Sequence, residues 1–212
     1  MSNCFEHKYD SLIFDLDGTL WNACETIAKA WSEVSVENRL RRGLISKEDV
    51  EGICGLSTDI VFDRIFGKEN SSILHSQCVD KQMLYVEKFG GQIYDGVLNL
   101  IPKLAERYRL YIVSNCDSGY IESFLQFSHL KAYFDNWKCY GDFQCGKTEN
   151  IVQLVTEEWL QNPLYIGDTE GDYLSAYAAA VPFHYMTYGF GYFDYIDSSH
   201  SFAEFYIKAI NY

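Results

Sequence analysis

Positive charge is scarce in this sequence. Its 17 lysines and arginines stand against 30 aspartates and glutamates, and the formal net charge is −13 at pH 7. Proteins bind nucleic acids mainly through Lys and Arg side chains that neutralise phosphates, so we expect no nucleic-acid partner. An acidic protein can still bind a small phosphorylated molecule when its site recruits a divalent cation.

Long apolar runs and paired cysteine motifs are also missing. No uninterrupted apolar stretch approaches about 18 residues, so we expect no membrane-spanning helix and no membrane partner. The first residues, MSNCFEHKYD, lack the basic and then apolar pattern of a secretion signal. The seven cysteines are scattered, odd in number and without a CxxC pair, and they signal neither a disulfide framework nor a zinc site. Free thiols suit a reducing compartment, so we expect a cytoplasmic protein.

A regular alternation of strand-like and helix-like segments runs through most of the chain. Runs rich in β-branched and aromatic residues are LIFDLD, YRLYIVSN, NWKCYGD, PLYIGD and PFHYMTYG, at 12–17, 108–115, 136–142, 163–168 and 182–189. Apolar residues at helical spacing lie at 97–108, 118–127, 146–160 and 171–180, and Ser118 is a candidate N-cap. This alternation predicts an α/β fold with a doubly wound, mostly parallel sheet.

Residues 22–94 interrupt this alternation. They show helical spacing, such as that of Ile27, Ala30, Trp31 and Val34, but no strand-like run followed by a turn. A chain of 212 residues is long enough for one core and a small inserted domain. We therefore predict a core domain of residues 1–21 and 95–212 and an inserted α-helical cap domain of residues 22–94.

Polar side chains follow several of the strand-like runs. Parallel sheets bind ligands beyond the carboxyl ends of their strands, so we expect these side chains to converge. They are Asp15, Asp17, Ser114, Asn115, Asp168 and Asp172, with Lys147 at a helix start. Crowded carboxylates repel one another unless a cation compensates, and Mg²⁺ takes oxygen ligands while keeping waters that a phosphate can replace. The set predicts phosphoryl chemistry on a metal ion.

Asp15 and Asp17 suggest how nucleophilic attack and proton transfer would be shared between two residues. Alternate residues of an extended strand share a side, which would place Asp15 and Asp17 together. Gly18 then permits a turn that brings backbone amides near an anion. One aspartate can attack phosphorus while the other moves protons.

Each feature also has a purely structural interpretation. A DxD in a loop is mostly a solvated turn, and Asp168 with Asp172 could simply favour a helix start. A single lysine such as Lys147 is more often on the surface, and Ser114 with Asn115 is more often a cap or turn. Their order and their shared position at strand ends favour the catalytic interpretation.

Four segments, in this order, resemble the motifs of the haloacid dehalogenase superfamily. They are FDLDGTL at 14–20, IVSN at 112–115, GK at 146–147 and GDTEGD at 167–172. The insertion after the first motif resembles the helical cap of the phosphoglycolate phosphatase and β-phosphoglucomutase branch. The resemblance implies a phosphatase that acts on a small phosphorylated metabolite, and phosphoglycolate is one candidate substrate.

The resemblance also implies roles for individual residues. Asp15 would be the nucleophile that becomes an aspartyl phosphate, and Asp17 the general acid and base. Ser114 and the Asn115 amide would hold phosphate oxygens, while Lys147 would steady the nucleophile and the transferring group.

Further implied roles concern the metal and the cap. Mg²⁺ would be bound by Asp15, the backbone carbonyl of Asp17 and Asp168, with Asp172 supporting through water. Gly18 and Thr19 would orient the loop and the phosphate. The segment ICGLSTDIVF at 53–62 resembles a substrate-reading cap loop. Its candidate residues are Gly55, Leu56, Ser57 and Thr58, and a flap near Gly189 and Gly191 would lie beside the site.

Other activities of the superfamily stay open at this point. A phosphosugar mutase uses the same nucleophile and acid, and a catalytically silent member could serve as a binding protein. A phosphonatase would need a cap lysine, for which Lys29 and Lys47 are candidates. Trp21 departs from the usual aliphatic residue and could narrow the entrance to the site. We expect a monomer or a small homo-oligomer.

Overall fold

The computed structural model describes residues 8–40, 43–56 and 58–211, with backbone only for residues 58, 59, 69–73 and 143. In chain order, its strands are β1 (Ser11–Phe14), β2 (Trp21–Asn22), β3 (Gln92–Ile93), β4 (Arg109–Ser114), β5 (Asn136–Cys139), β6 (Pro163–Gly167), β7 (Phe183–Met186) and β8 (Ser198–Ser199). The helices are α1 (Cys24–Glu37), α2 (Lys47–Glu51), α3 (Thr58–Phe66), α4 (Lys68–Phe89), α5 (Val97–Ala105), α6 (Tyr120–Ser128), α7 (Tyr140–Phe143), α8 (Lys147–Glu157), α9 (Glu170–Ala178) and α10 (Phe202–Ala209), with a 3-10 helix at Lys131–Tyr133.

A six-stranded parallel sheet forms the centre of the molecule, in the order β5-β4-β1-β6-β7-β8. Strand β1 is fully buried, as expected for a parallel strand covered on both faces. Its side chains alternate, so that Leu12 and Phe14 join one hydrophobic cluster and Ile13 joins the other. The predicted α/β fold with a doubly wound sheet is confirmed.

Helices cover both faces of this sheet. Apolar residues of α5 and α10, such as Ile101 and Phe205, pack in the cluster of Phe14. Ile151 of α8 and Ala176 of α9 pack in the cluster of Ile13. Helices α5, α8 and α9 agree with the spacing seen in the sequence, whereas α10 lies beyond the segments for which helices were predicted. Among the described helices, none is long and apolar enough to cross a membrane.

Helices α1 to α4 are inserted between the first and second strands of the central sheet. Helix α1 packs against α2 and α4, and α3 packs against α4. The two-residue strands β2 and β3 pair antiparallel at the base of the insertion, with Trp21 opposite Ile93. Strands this short leave no sequence pattern, which is why none is expected from the sequence. The predicted domain boundaries fall at or next to this ribbon, and the division into two domains stays a prediction.

Two local expectations are wrong. Trp21 does not narrow the entrance, because it is fully buried and packs against Tyr120 and Phe124, with ring centroids 5.6 and 5.1 Å away. Ser118 does not cap the helix that follows it. Helix α6 begins at Tyr120, after Gly119 in a left-handed conformation (φ 82°), and the Ser118 hydroxyl donates instead to the carboxylate of Asp142.

Candidate active site

Asp15 lies one residue beyond β1, at the carboxyl edge of the sheet. Its backbone N–H donates to the Ile166 carbonyl of β6, which continues the strand pairing by one residue. The Lys147 ammonium lies 2.8 Å from Asp15 Oδ1 and also donates to the carboxylate of Asp172. All three charged side chains are buried. The structure therefore places one ammonium between two carboxylates at this edge.

The electrostatics of this group leave the ammonium charged. Burial raises the pKa of Asp15 to about 6, repulsion from Asp172 adds to the rise, and Lys147 opposes it. Burial alone would lower the pKa of Lys147, but the nearby charges of Asp15 and Asp172 hold it well above its ordinary value. A charged lysine beside a nucleophilic carboxylate can stabilise the negative charge that arrives with a phosphoryl group.

Asp17 shares the cavity of Asp15, but not because both lie on a strand. Strand β1 ends at Phe14, and the chain then turns tightly, since the N–H groups of Thr19 and Leu20 donate to the Leu16 carbonyl. The expectation of an extended segment is wrong. The turn buries Leu16 in the core and leaves the two aspartates lining the cavity.

The Asp17 carboxylate is held by two donors. The Tyr120 hydroxyl donates to its Oδ1 at 2.9 Å, and the backbone N–H of Ala23 donates as well. Burial raises the pKa of Asp17 to about 7, although the Tyr120 hydrogen bond lowers it. An acid with a pKa near neutrality can both donate and accept a proton during turnover.

Asp168 follows β6 and is enclosed by glycines. Thr19 Oγ1 donates to its Oδ1 at 3.1 Å, and the Phe190 N–H donates to its Oδ2 at 2.7 Å. A Cβ added at Gly18 or at Gly189 would come within 2.1 or 2.3 Å of the Asp168 side chain. Gly18 also has a left-handed conformation, with φ of 87°. Glycine is therefore required on both sides, and the loop of Gly189 lies beside the site.

Asp172 caps the start of helix α9 and also belongs to the site. It forms a capping box with Thr169 at the beginning of α9. Its Oδ2 accepts from the N–H and hydroxyl of Thr169 and from the Asp168 N–H, while Oδ1 accepts from Lys147. Both carboxylate oxygens are engaged, so Asp172 is better suited to orient other groups than to bind a metal ion directly.

Carboxylate oxygens of Asp15, Asp168 and Asp172 lie within 4.8 Å of one another, and all three residues are buried. Burial raises the pKa of Asp168 well above its ordinary value, and repulsion from Asp172 and Asp15 adds to the rise. The cluster holds more carboxylates than the single ammonium of Lys147 can balance. Hard oxygen ligands with excess negative charge are the donor set that suits a small divalent cation such as Mg²⁺.

The cavity in front of these carboxylates has a volume of about 100 Å³. At the core end, it is lined by Asp15, Asp17, Ser114, Asn115 and Lys147. These residues come from two different strand ends and one helix start, and oxygens of Asp168 and Asp172 lie within 4.8 Å of Asp15, so the convergence expected from the sequence is present. Their catalytic roles stay predictions.

The cap loop closes the other side of the cavity. Gly55 and Leu56 line it, and the Asn115 side-chain amide donates to the Gly55 carbonyl at 3.3 Å. Of the other two candidate residues, Ser57 lies outside the described residues, and Thr58 begins α3 but has no described side chain. The Gly55 contact joins the insertion directly to the sheet edge.

Sequence reasoning missed several residues of this cavity. Cys116 and Asp117 line it directly after the Ser114–Asn115 pair, a position that could have indicated them. Tyr120 and Gln82 carried no such signal, because a residue facing a cavity from a helix has the same spacing as one in the core.

The cap lysines considered for a Schiff base lie elsewhere. Lys29 pairs with Glu25, and Lys47 pairs with Glu51. Neither lines the cavity of Asp15, where Lys147 is the only cation among the described lining residues. The described structure therefore offers no cap amine for phosphonatase chemistry.

Comparison with known proteins agrees with this geometry. The family model of haloacid dehalogenase-like hydrolases matches residues 12–186. A structure from Haemophilus somnus, described as a predicted phosphoglycolate phosphatase, has a TM-score of 0.81 at 19% identity and covers 98% of this chain and 100% of its own. A predicted phosphatase from Clostridium acetobutylicum has a TM-score of 0.79 at 21% identity, with 96% and 99% covered.

A haloacid dehalogenase-like family protein from Streptococcus pneumoniae has a TM-score of 0.73 at 23% identity and covers 87% of each chain. The comparison with curated proteins gave no significant match. Structural likeness at these identities shows a shared fold, and the family model extends over the site residues from Asp15 to Asp172. This chain belongs to the haloacid dehalogenase-like hydrolases.

Proposed function

We propose that the protein is a Mg²⁺-dependent phosphatase that hydrolyses a small phosphorylated metabolite through an aspartyl phosphate on Asp15. One observation carries this proposal: the buried Asp15 carboxylate touches the Lys147 ammonium and shares its cavity with Asp17, whose pKa is about 7. Two structural relatives are described as phosphatases, one of them as a phosphoglycolate phosphatase. We also propose that the protein is cytoplasmic, is a monomer or a small homo-oligomer, and has no nucleic-acid or membrane partner.

The chain's own residues account for the first step. An Asp15 carboxylate oxygen attacks phosphorus, and the bond to the ester oxygen breaks as Asp17 gives that oxygen a proton. Ser114 and the Asn115 amide hold the phosphate oxygens, and Lys147 stabilises the negative charge on the transferring group. The free alcohol and an acyl phosphate on Asp15 result.

The second step reverses the proton transfer. Asp17 accepts a proton from water as the water attacks phosphorus, and the Asp15 carboxylate is released with inorganic phosphate. Mg²⁺ would be held by Asp15, Asp168 and the Asp17 backbone carbonyl, with Asp172 acting through water, and it would neutralise phosphate charge. Thr19 fixes Asp168 through its hydroxyl, and Gly18 leaves room for the Asp168 carboxylate.

Phosphate release tests this function. We expect wild type to hydrolyse p-nitrophenyl phosphate and members of a phosphometabolite panel with Mg²⁺, and to lose this activity with a chelator. Asp15→Asn should be inactive, while Asp80→Asn, a change on the exposed side of α4, should not differ from wild type. A hexose 1-phosphate that isomerises without release would indicate a mutase. Turnover of no substrate would indicate a silent binding protein.

A further inference from the structure

The cap end of the cavity differs in character from the core end. We define the cap pocket by Ile27, Trp31, Ile53, Val61, Phe62 and Gln82, which come from α1, the loop after α2, α3 and α4. Five of these six side chains are largely apolar. With phosphate bound at Asp15 and Lys147 as proposed, this pocket would receive the rest of the substrate.

Gln82 is the polar exception in the cap pocket. The residue is only 5% exposed and lines the cavity, and among the described residues its amide has no hydrogen-bond partner. Its amide atoms are not among the fully enclosed unpartnered atoms, so they keep access to the cavity, and a bound molecule can supply the missing partner.

The charges around the cavity limit what that molecule can be. Lys147 is the only cation among the described lining residues, and it already bonds Asp15 and Asp172. Asp117 adds a further carboxylate to the lining. A second anionic group on the substrate would be buried beside apolar side chains and an acid, without a partner.

Resting on the proposed phosphatase function, we propose that Gln82 selects phosphomonoesters of small uncharged alcohols that carry a hydroxyl or carbonyl group. The Gln82 amide bonds that group, and the apolar walls cover the carbon chain. The whole cavity, phosphate end included, measures about 100 Å³, so the substituent is limited to a few carbons. Carboxylated phosphomonoesters, phosphoglycolate among them, are poor substrates.

A matched substrate series tests this selection. Glycerol 3-phosphate, propyl phosphate and 3-phosphoglycerate share a three-carbon chain and differ in hydroxyl and carboxylate groups. With wild type and Mg²⁺, we expect kcat/KM for glycerol 3-phosphate to exceed that for each of the others by about 10- to 100-fold, because propyl phosphate leaves the Gln82 amide unpaired and 3-phosphoglycerate brings an unpaired carboxylate into the pocket.

Substitutions at Gln82 separate selection from a structural role. Gln82→Leu should lower the ratio of kcat/KM for glycerol 3-phosphate over propyl phosphate by about 10-fold or more, whereas a structural defect would lower both alike. Gln82→Lys should raise kcat/KM for 3-phosphoglycerate relative to glycerol 3-phosphate. Gln77→Leu, the same change at an exposed position of α4, should leave both ratios as in wild type.

The possible results separate the role of Gln82 from the proposed phosphatase function. If wild type releases phosphate from no ester, including p-nitrophenyl phosphate, the proposed function fails and the selection fails with it. If wild type hydrolyses p-nitrophenyl phosphate but prefers 3-phosphoglycerate, or if Gln82→Leu changes no ratio, the phosphatase stands and the role of Gln82 is overturned.

Discussion

Tyr120→Phe should weaken the proposed acid without disturbing the rest of the site. The Tyr120 hydroxyl donates to Asp17 Oδ1 at 2.9 Å and lowers the Asp17 pKa, so its loss raises that pKa above about 7. The ring stays, and with it the edge contact to Trp21 at 5.6 Å. The substitution therefore removes one hydrogen bond and little packing.

The size of the effect follows from that hydrogen bond. When Asp17 gives up its proton, it becomes a carboxylate to which Tyr120 donates, and a hydrogen bond to a charged group contributes about 1.5–3 kcal/mol. Complete loss of this contribution from the transition state corresponds to about 10- to 100-fold in rate. A greater protonated fraction at neutral pH offsets at most about twofold, because a group with a pKa near 7 is already half protonated there. The Ala23 N–H still donates, so the lower end of the range is expected.

The assay compares two leaving groups. An alkyl phosphate needs a proton on its departing oxygen, whereas p-nitrophenolate leaves as a stable anion. Tyr120→Phe should lower kcat/KM for an alkyl phosphate by about 10-fold while changing that for p-nitrophenyl phosphate by less than about threefold. Tyr177→Phe, at an exposed position of α9, is the matched control. Equal losses on both substrates, or none on either, would refute the reasoning.

Three further predictions concern the metal, the loop and the lysine. Burial raises the pKa of Asp15 from 3.8 to about 6, so the free energy of unfolding of the metal-free protein should fall by about 3 kcal/mol for this group as pH rises between these values. Because Mg²⁺ binds the ionised carboxylate, it should raise Tm more at pH 7.5 than at pH 5. An equal shift at both values would contradict this. Gly189→Ala places a methyl group 2.3 Å from the Asp168 side chain and should lower kcat/KM by about 100-fold, whereas Gly52→Ala should not. Lys147→Met leaves buried carboxylates without their cation and should cost about 3–5 kcal/mol in urea unfolding at pH 8, so an unchanged midpoint would contradict the ion-pair argument.

The sequence predicted the strands of the sheet and the positions of the polar residues at its edge. Strands such as β1 and β6 are buried on both faces, so their apolar runs are continuous and are followed directly by Asp15 and Asp168. The placement of Asp17 was expected for the wrong reason, because the tight turn at Leu16 depends on backbone hydrogen bonds that alternation does not reveal.

The cap pocket could not be predicted in the same way. Trp31 and Gln82 lie on helices α1 and α4, where helical spacing shows that a face is buried but not whether it meets the core or a cavity. Tyr120 reaches Asp17 across 103 residues of sequence, and its hydrogen bond depends on the packing of α6 beside the ribbon. Such pairings follow from tertiary structure and leave no local motif.

The most direct test of the account is to locate phosphate on the protein during turnover. Wild type mixed with p-nitrophenyl phosphate and Mg²⁺ is quenched in acid, digested, and mapped by mass spectrometry. The account predicts phosphate on Asp15 at a level that rises and then decays as substrate is consumed, and no phosphorylated peptide in Asp15→Asn. Phosphate on another residue, or steady hydrolysis by Asp15→Asn, would contradict it.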